Sequence, residues 1–338
     1  MFDCLISFVI PAYNAGLTLE RAVLSIVKQK GLNAEVLIIN DGSTDNTKDI
    51  AEELADSWSC VRVINTVNGG VARARNIGIE AALGDWISFV DADDEIFDGA
   101  YQSLLEAVSF TEYDIVFGIK EYYSQCAHRG HIYHELSQIG DNLNNINIAD
   151  VHMSLLTVND DSLSGSCTRA IFRQAFIEEF DLRFPVGVTM AEDFCFLLSC
   201  LSHRPKVGSV GILLYRVNCS AESVTQNAID NIDGSMEYVN ECLDELVDTA
   251  PYCASLVDIQ RANNAWLRLD SHAKCGFRET LRISNSIFSN LRDRNSITRS
   301  WGPNLVNKFR QLVLKSGLLS PVLPSIILRF KRWLGGFR

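Results

Sequence analysis

Three carboxylates close an apolar run in the segment Gly84-Asp-Trp-Ile-Ser-Phe-Val-Asp-Ala-Asp-Asp94. Trp86 to Val90 is rich in β-branched and aromatic residues and reads as a buried strand. Asp91, Asp93 and Asp94 then arrive where that strand must stop. Acids packed this closely repel one another unless positive charge sits among them. A divalent cation meets that need: hard oxygen ligands suit Mg²⁺ or Mn²⁺, and such ions take one or two carboxylates together with substrate phosphates. The carboxyl edge of an α/β sheet is also where these folds hold nucleotides. The chemistry indicated is metal-assisted reaction at a phosphate ester or diphosphate.

Two other motifs use similar residues. An EF-hand loop requires glycine at its sixth position, where Ile96 stands. A phosphatase of the haloacid dehalogenase type also opens with a strand and Asp-x-Asp, but places it near the first strand of its domain and carries Thr or Val where Glu95 stands. A solvated acidic loop is the plainest alternative, and it leaves the motifs at the other strand ends unexplained.

Strands and helices alternate through the first hundred residues. Leu5–Ile10, Glu35–Ile39, Val61–Ile64 and Trp86–Val90 read as strands, and Leu17–Lys28, Thr44–Asp56 and Val71–Ala82 as the helices between them. The first helix offers Leu17, Ala22, Leu24, Ile26 and Val27 as its buried face. Strands separated by helices of about ten residues predict a doubly wound, mostly parallel α/β sheet. A further strand is expected at Asp114–Ile119, with loops and short elements over 124–150. Beyond Thr225 the period becomes helical, with Ile229, Ile232, Met236, Val239, Leu243 and Leu246 on one face. Ala254–Leu269, Thr280–Leu291 and Pro303–Lys315 continue it. Leu318–Leu334 is apolar, but Pro321, Pro324 and Arg329 break it too early for a membrane span.

Composition narrows the class. A 338-residue chain with 47% hydrophobic and 21% charged residues is globular in type. Its ten cysteines lack metal or C-x-x-C spacing, which suggests reduced thiols in a cytosol. The six-residue run after Asp3 lacks the basic flank of a signal peptide and reads as a first strand. The net charge is −12, but all the acids lie before Arg294; nine Lys or Arg follow with none. An acidic body is poorly suited to nucleic acid, and the basic, apolar segment 294–338 reads as an amphipathic tail that docks on an anionic membrane surface. Packing of that tail on its own domain is the plainer use.

Four more segments fall where strands end: Phe8-Val-Ile-Pro-Ala-Tyr-Asn14, Glu35-Val-Leu-Ile-Ile-Asn-Asp-Gly-Ser-Thr-Asp45, Asn68-Gly-Gly-Val-Ala-Arg-Ala-Arg-Asn-Ile-Gly78 and, much later, Ala191-Glu-Asp-Phe-Cys-Phe196. Asp41 leaves a buried strand just before Gly42, placed to accept hydrogen bonds from a base or ribose. In order and spacing the chain resembles the family 2 glycosyltransferases, inverting enzymes of the GT-A fold. The resemblance covers Ser7 to about Asp98, returns at Phe184–Phe196 and again at Tyr215–Thr225, and leaves the helical C-terminal part outside it.

The resemblance implies a GT-A catalytic domain over 1–225, with a nucleotide-binding half (1–115) and an acceptor half (116–225), followed by a helical region (226–293) and the tail (294–338). It implies a nucleotide-diphosphate sugar lying across the strand ends, against Pro11, Ala12, Tyr13, Asn14, Asp41, Gly70, Arg75 and Asp91. Asp93, with Asp91, would hold Mg²⁺ or Mn²⁺, and Asp193 would be the general base for the acceptor hydroxyl. The acceptor would be a carbohydrate or a lipid-linked carbohydrate at the cytoplasmic face of the membrane, in surface polysaccharide assembly. A homologue that binds nucleotide sugars without turnover would carry the same motifs.

Several of these residues have plainer uses. Thr189-Met-Ala-Glu192 spells a helix capping box, in which Glu192 bonds the Thr189 amide and Asp193 is a first-turn acid favoured by the helix dipole. Asp45 belongs to a helix start. Arg75 either contacts phosphate or pairs with an acid, and Arg73 has a weaker claim. Tyr215, Arg216 and Ser223 take no firm role, because Asn218 stands where relatives often carry a basic residue.

Overall fold

A computed structural model describes residues 4–107, 113–124, 144–146, 166–188, 191–219, 232–254, 257 and 261. The elements alternate first and then interleave: β1 (Ile6–Ala12), α1 (Leu19–Val27), β2 (Ala34–Asp41), α2 (Thr47–Ser57), β3 (Val61–Thr66), α3 (Val71–Ala81), β4 (Trp86–Phe89) and β5 (Glu95–Ile96). They continue through α4 (Ala100–Ala107), β6 (Ile115–Ser124), β7 (Asn144–Ile146), β8 (Ala170–Arg173), α5 (Gln174–Glu179), α6 (Glu192–Ser202), β9 (Val207–Cys219) and α7 (Ile232–Thr249).

All the strands join one sheet in the order β3-β2-β1-β4-β8-β6-β9-β5, with β7 added beside β9. The first four are parallel, in the register Ala12↔Asn40, Asp41↔Thr66 and Val9↔Phe89, so their carboxyl ends lie along one edge. Beyond β4 the sheet is mixed: β8 is antiparallel to both β4 and β6, and β6 is parallel to β9. The doubly wound parallel pattern therefore belongs to the N-terminal half.

Both faces of the parallel strands are covered, which is why these strands read as continuous apolar runs. Ile6, Phe8, Ile10, Val36 and Ile38 pack on Leu19, Val23, Ile26, Ala51, Leu54 and Leu104. The alternate residues Val9, Leu37, Ile39, Ile87 and Phe89 face Ala72, Ala74 and Ile79, then the apolar run of α6 and Met236, Val239, Leu243 and Leu246 of α7. The helical period beyond Thr225 is thus realised in α7, which packs on α6. Ile229, the other C-terminal helices and the tail 294–338 lie outside the described residues. Among the described residues, no helix is long and apolar enough to cross a membrane.

Leu17 departs from expectation: it is fully exposed. The helix begins two residues later than its apolar run suggests, so Leu19 and Val23 turn inward with Ala22 and Ile26, while Leu24 and Val27 are only partly covered.

Helix α3 packs on β1 with no room for a side chain at Gly78. A Cβ at Gly78 would stand 2.1 Å from Val9 Cγ1 and 3.1 Å from its Cβ. Val9 is a fully buried strand residue with a stiff χ1, so it has little room to yield. Gly78→Ala should lower stability by about 1–3 kcal/mol through overpacking, outweighing the ~1 kcal/mol gained in helix propensity only where the clash cannot relax. Urea denaturation monitored by circular dichroism measures the net; an unchanged or raised midpoint would show that β1 and α3 separate freely.

Candidate active site

Four loops meet at the carboxyl edge of the parallel strands, and their backbones are tied to one another. After β1, Tyr13 is 54% exposed, and Asn14 adopts φ 50. The Asn14 side chain accepts the Thr44 N–H at 2.8 Å, while its own N–H donates to Ser43 Oγ at 3.0 Å. Asn, which tolerates this left-handed backbone, is a fitting residue there. Pro11 and buried Ala12 end β1 beneath it. Asp45 joins the start of α2, accepting the Thr47 N–H, and its second oxygen accepts the Gly16 N–H. It braces the loop from behind, as its position in the sequence suggests.

Asp41, at the end of β2, is 3% exposed and clasps the next loop. Its Oδ1 accepts the Gly69 N–H at 2.9 Å and its Oδ2 the Gly70 N–H at 2.8 Å. Gly70, at φ 87, is the N-cap of α3. Gly42, at φ 69, lies so close to this loop that a Cβ would stand 2.6 Å from the Asn68 nitrogen. Each carboxylate oxygen has two lone pairs, so a nucleotide contact at Asp41 would be a second bond on an oxygen already engaged.

Arg75, on the first turns of α3, is the hub. It is 3% exposed. Its Nη2 donates to Asp91 Oδ1 at 2.9 Å, and its Nη1 to Glu192 Oε1 at 3.0 Å and Asp193 Oδ1 at 2.5 Å. The guanidinium also lies 5.2 Å from the centroid of the Phe184 ring. A rigid fork of donors can serve several carboxylates at once, which an ammonium cannot. Burial alone would lower the Arg75 pKa, but Asp193, Cys167, Asp91 and Glu192 hold it well above its ordinary value. Of the two uses open to Arg75, pairing with acids is the one present; its Nε has no partner among the described residues.

This pairing carries a correction. Helix α6 starts at Glu192, with Ala191 as its N-cap at φ 67. Glu192 is therefore the first helical residue, not the third as a capping box requires, and its carboxylate turns to Arg75. Burial and the neighbouring Asp193 raise the Glu192 carboxyl, while Arg75 pulls the other way. Thr189 lies outside the described residues. Asp193 Oδ2 accepts the Cys167 N–H at 3.3 Å, so both of its oxygens are oriented.

The three acids at the end of β4 have separate surroundings. Asp91 is tied to Arg75. Asp93 is exposed, and its carboxyl is raised by partial burial in the turn and by Asp91. Asp94 is 4% exposed and bonded to Tyr215 and Asn218 of β9. Among the described residues no group of three or more His, Cys, Asp or Glu is arranged to hold a metal ion. An oxygen-only pair with one member exposed would suit a hard cation that completes its shell with water and phosphate oxygens. The donor set of Asp91 and Asp93, oxygen alone, is of the kind that hard divalent cations take.

Some contributors have little signal in the sequence. Asn76, next to Arg75, exchanges two hydrogen bonds of 2.8 Å with the backbone of Phe184 and so anchors the segment leading to α6. Phe184 in turn stacks on Phe196 of α6, with ring centroids 4.0 Å apart. Asn76 stands in the Arg-Ala-Arg-Asn run, which is its only signal. Arg73 turns away from the acids to Thr66 Oγ1 and the Val67 carbonyl. Arg216 lies over the Phe97 ring.

The profile of glycosyl transferase family 2 matches residues 7–179, and the chain belongs to that family. Among curated proteins it is 31% identical over 218 residues to EpsJ of Bacillus subtilis, an uncharacterized glycosyltransferase, covering 63% of this chain and 61% of that one. The chain thus spans less than two thirds of this relative's length. The fold is shared with TarS of S. aureus in complex with UDP-GlcNAc (TM-score 0.69, 15% identity, 98% of this chain and 92% of that one). It is also shared with the mannosyltransferase PcManGT of Pyrobaculum calidifontis in complex with GDP-Man and Mn²⁺ (TM-score 0.55, 12% identity, 98% and 88%). The fold is that of the GT-A glycosyltransferases expected from the motif order.

Proposed function

We propose that this protein is an inverting glycosyltransferase that moves a sugar from a nucleotide-diphosphate donor to a carbohydrate or lipid-linked acceptor. One observation carries the reading: Arg75 binds Asp91 at the donor edge and Asp193 on a helix more than a hundred residues later. The chain thereby sets a candidate donor-side acid and a candidate base on either side of one guanidinium, near enough to act on opposite faces of one sugar.

Tyr13 offers an exposed ring to a base beside Asp41, and the ordered Gly69-Gly70 backbone lies below the donor path. Asp91 and Asp93 would hold Mg²⁺ or Mn²⁺. When bound, that ion would neutralise charge on the departing diphosphate. Asp193, its carboxylate oriented by Arg75 and the Cys167 N–H, accepts the acceptor's proton. Attack from the face opposite the leaving group inverts the anomeric carbon. UDP-GlcNAc bound to TarS and GDP-Man with Mn²⁺ bound to PcManGT support a nucleotide-sugar donor and a cation. We place the protein on the cytoplasmic face of the membrane in surface polysaccharide assembly, with its basic tail against anionic lipid, each basic group contributing about 1 kcal/mol.

Purified protein screened by thermal shift against UDP, GDP, dTDP and CMP should melt higher with one diphosphate, and only with Mn²⁺. At a hundredfold excess over the dissociation constant the stabilisation is about 2.7 kcal/mol. Asp93→Ala should abolish it. No shift with any nucleotide would overturn the reading.

A further inference from the structure

The acid turn is held from below by strand β9. The Tyr215 hydroxyl is fully buried; it accepts the Asp91 N–H at 3.0 Å and donates to Asp94 Oδ2 at 2.8 Å. Asp94 Oδ1 accepts the Asn218 N–H at 2.7 Å, so both oxygens of this buried carboxylate face β9. The Asp94 N–H closes the turn on the Asp91 carbonyl at 3.1 Å. The Asp93 carbonyl receives Arg21 Nη2 at 2.6 Å and Asn218 Nδ2 at 3.1 Å. These bonds fix the turn's backbone and leave the carboxylate of Asp93 exposed and that of Asp91 partly so, while Asp94 is buried. An ion that keeps part of its water shell needs an oxygen at the solvent edge, whereas Asp94 is 4% exposed with both oxygens turned inward to donors of β9.

We propose that Tyr215 and Asp94 are positioning residues that preset the turn carrying Asp91 and Asp93 for a divalent cation, and that Asp94 is not itself a ligand of that cation. The proposal rests on the reading of Asp91 and Asp93 as the cation's ligands. It gives the cluster a division of labour: Asp91 is oriented by Arg75, Asp93 faces outward, and Asp94 anchors the turn. Tyr215 serves both flanks of the turn with one hydroxyl, which phenylalanine cannot replace. Asparagine at 94 keeps one acceptor oxygen, for the Asn218 N–H, but turns its amide to the Tyr215 oxygen and leaves the Tyr215 O–H without its acceptor, so it loosens the turn without touching a ligand of the cation.

The test uses the full chain with MnCl₂ and UDP, GDP or dTDP, whichever shifts the wild-type melting temperature. Bound Mn²⁺ is counted by electron paramagnetic resonance, and each variant's melting shift is taken from its own metal-free value. Tyr215→Phe should raise the Mn²⁺ midpoint about 10–100-fold, the range for loss of a residue that orients ligands. Asp94→Asn should raise the Mn²⁺ midpoint no further than Tyr215→Phe does, while Asp93→Asn should lose Mn²⁺ binding. The Asp94→Asn and Asp93→Asn comparison decides the matter even where Tyr215→Phe does not fold. Asp94→Asn falling as far as Asp93→Asn would make Asp94 a ligand and overturn the proposal. So would a Tyr215→Phe variant that melts lower with an unchanged Mn²⁺ midpoint, since that marks a purely structural tyrosine. A wild-type chain with no Mn²⁺-dependent response to any nucleotide would instead overturn the cation reading on which the proposal stands.

Discussion

Asp193→Asn should lower turnover about 10²–10⁴-fold, the usual contribution of a positioned general base. Asparagine keeps the shape and one acceptor oxygen, best turned to Arg75, and gives up the longer bond from the Cys167 N–H; Glu192 in the same turn still holds Arg75, so the start of α6 stays anchored. It removes the lone pair that takes the acceptor's proton. Nucleotide binding should therefore survive: the Mn²⁺-dependent melting shift with the preferred diphosphate stays near its wild-type size while product formation collapses. Initial rates with donor and acceptor at saturation, set beside the melting curves, make the comparison. Equal turnover in the two forms would remove Asp193 from the chemistry. If both forms are inactive over a broad panel of donors but bind nucleotide, the chain is a binding homologue and not an enzyme.

Arg75→Leu should cost about 3–5 kcal/mol, the range for removing one partner of a buried ion pair. Asp91, Glu192 and Asp193 retain 37%, 16% and 18% side-chain exposure, and the water they recover places the expected loss at the low end. Arg75→Lys keeps the charge but offers one compact ammonium for three carboxylates, so it should recover only part of the loss. The pH dependence follows from Glu192. Its carboxyl is raised by burial and by Asp193, and losing Arg75 raises it further. A group raised on folding favours the folded state below its unfolded value and penalises it above the folded one. The deficit of Arg75→Leu should therefore narrow as pH falls through the raised carboxylate range and widen above it. Urea titrations at two pH values, one on each side, test this. A loss under 1 kcal/mol at the higher pH would mean that the three acids separate without the arginine.

The first half of the fold was open to reading because each of its elements is local. Runs such as Ile6–Ala12 and Ala34–Asp41 are buried on both faces, so their apolar character shows without knowledge of their neighbours. The motifs at their ends were legible for the same reason: parallel strands deliver every carboxyl end to one edge, so order along the chain translates into proximity. The helix starts were less secure. Leu17 belongs to the apolar run of α1 but precedes its first turn, and the chain direction there leaves it in solvent. Glu192 has the spacing of a capping residue, yet the left-handed Ala191 shifts the helix start and frees the carboxylate for Arg75.

What the sequence determined by itself is the alternating sheet, the placement of Asp41, Asp91, Asp93 and Arg75 along one edge, and the family to which the chain belongs. What only the tertiary structure decided is which partner each charged group takes. Arg75 could have met phosphate or acid, and its choice depends on α6 arriving from more than a hundred residues away. Asp91, Asp93 and Asp94 look alike in the sequence, yet β9 reaches beneath the turn and, of their three carboxylates, takes that of Asp94 through Tyr215 and Asn218. Spacing along a chain limits local geometry, whereas a charge pairs with whatever the folded chain brings within about 3 Å, and that is settled by packing across the sheet.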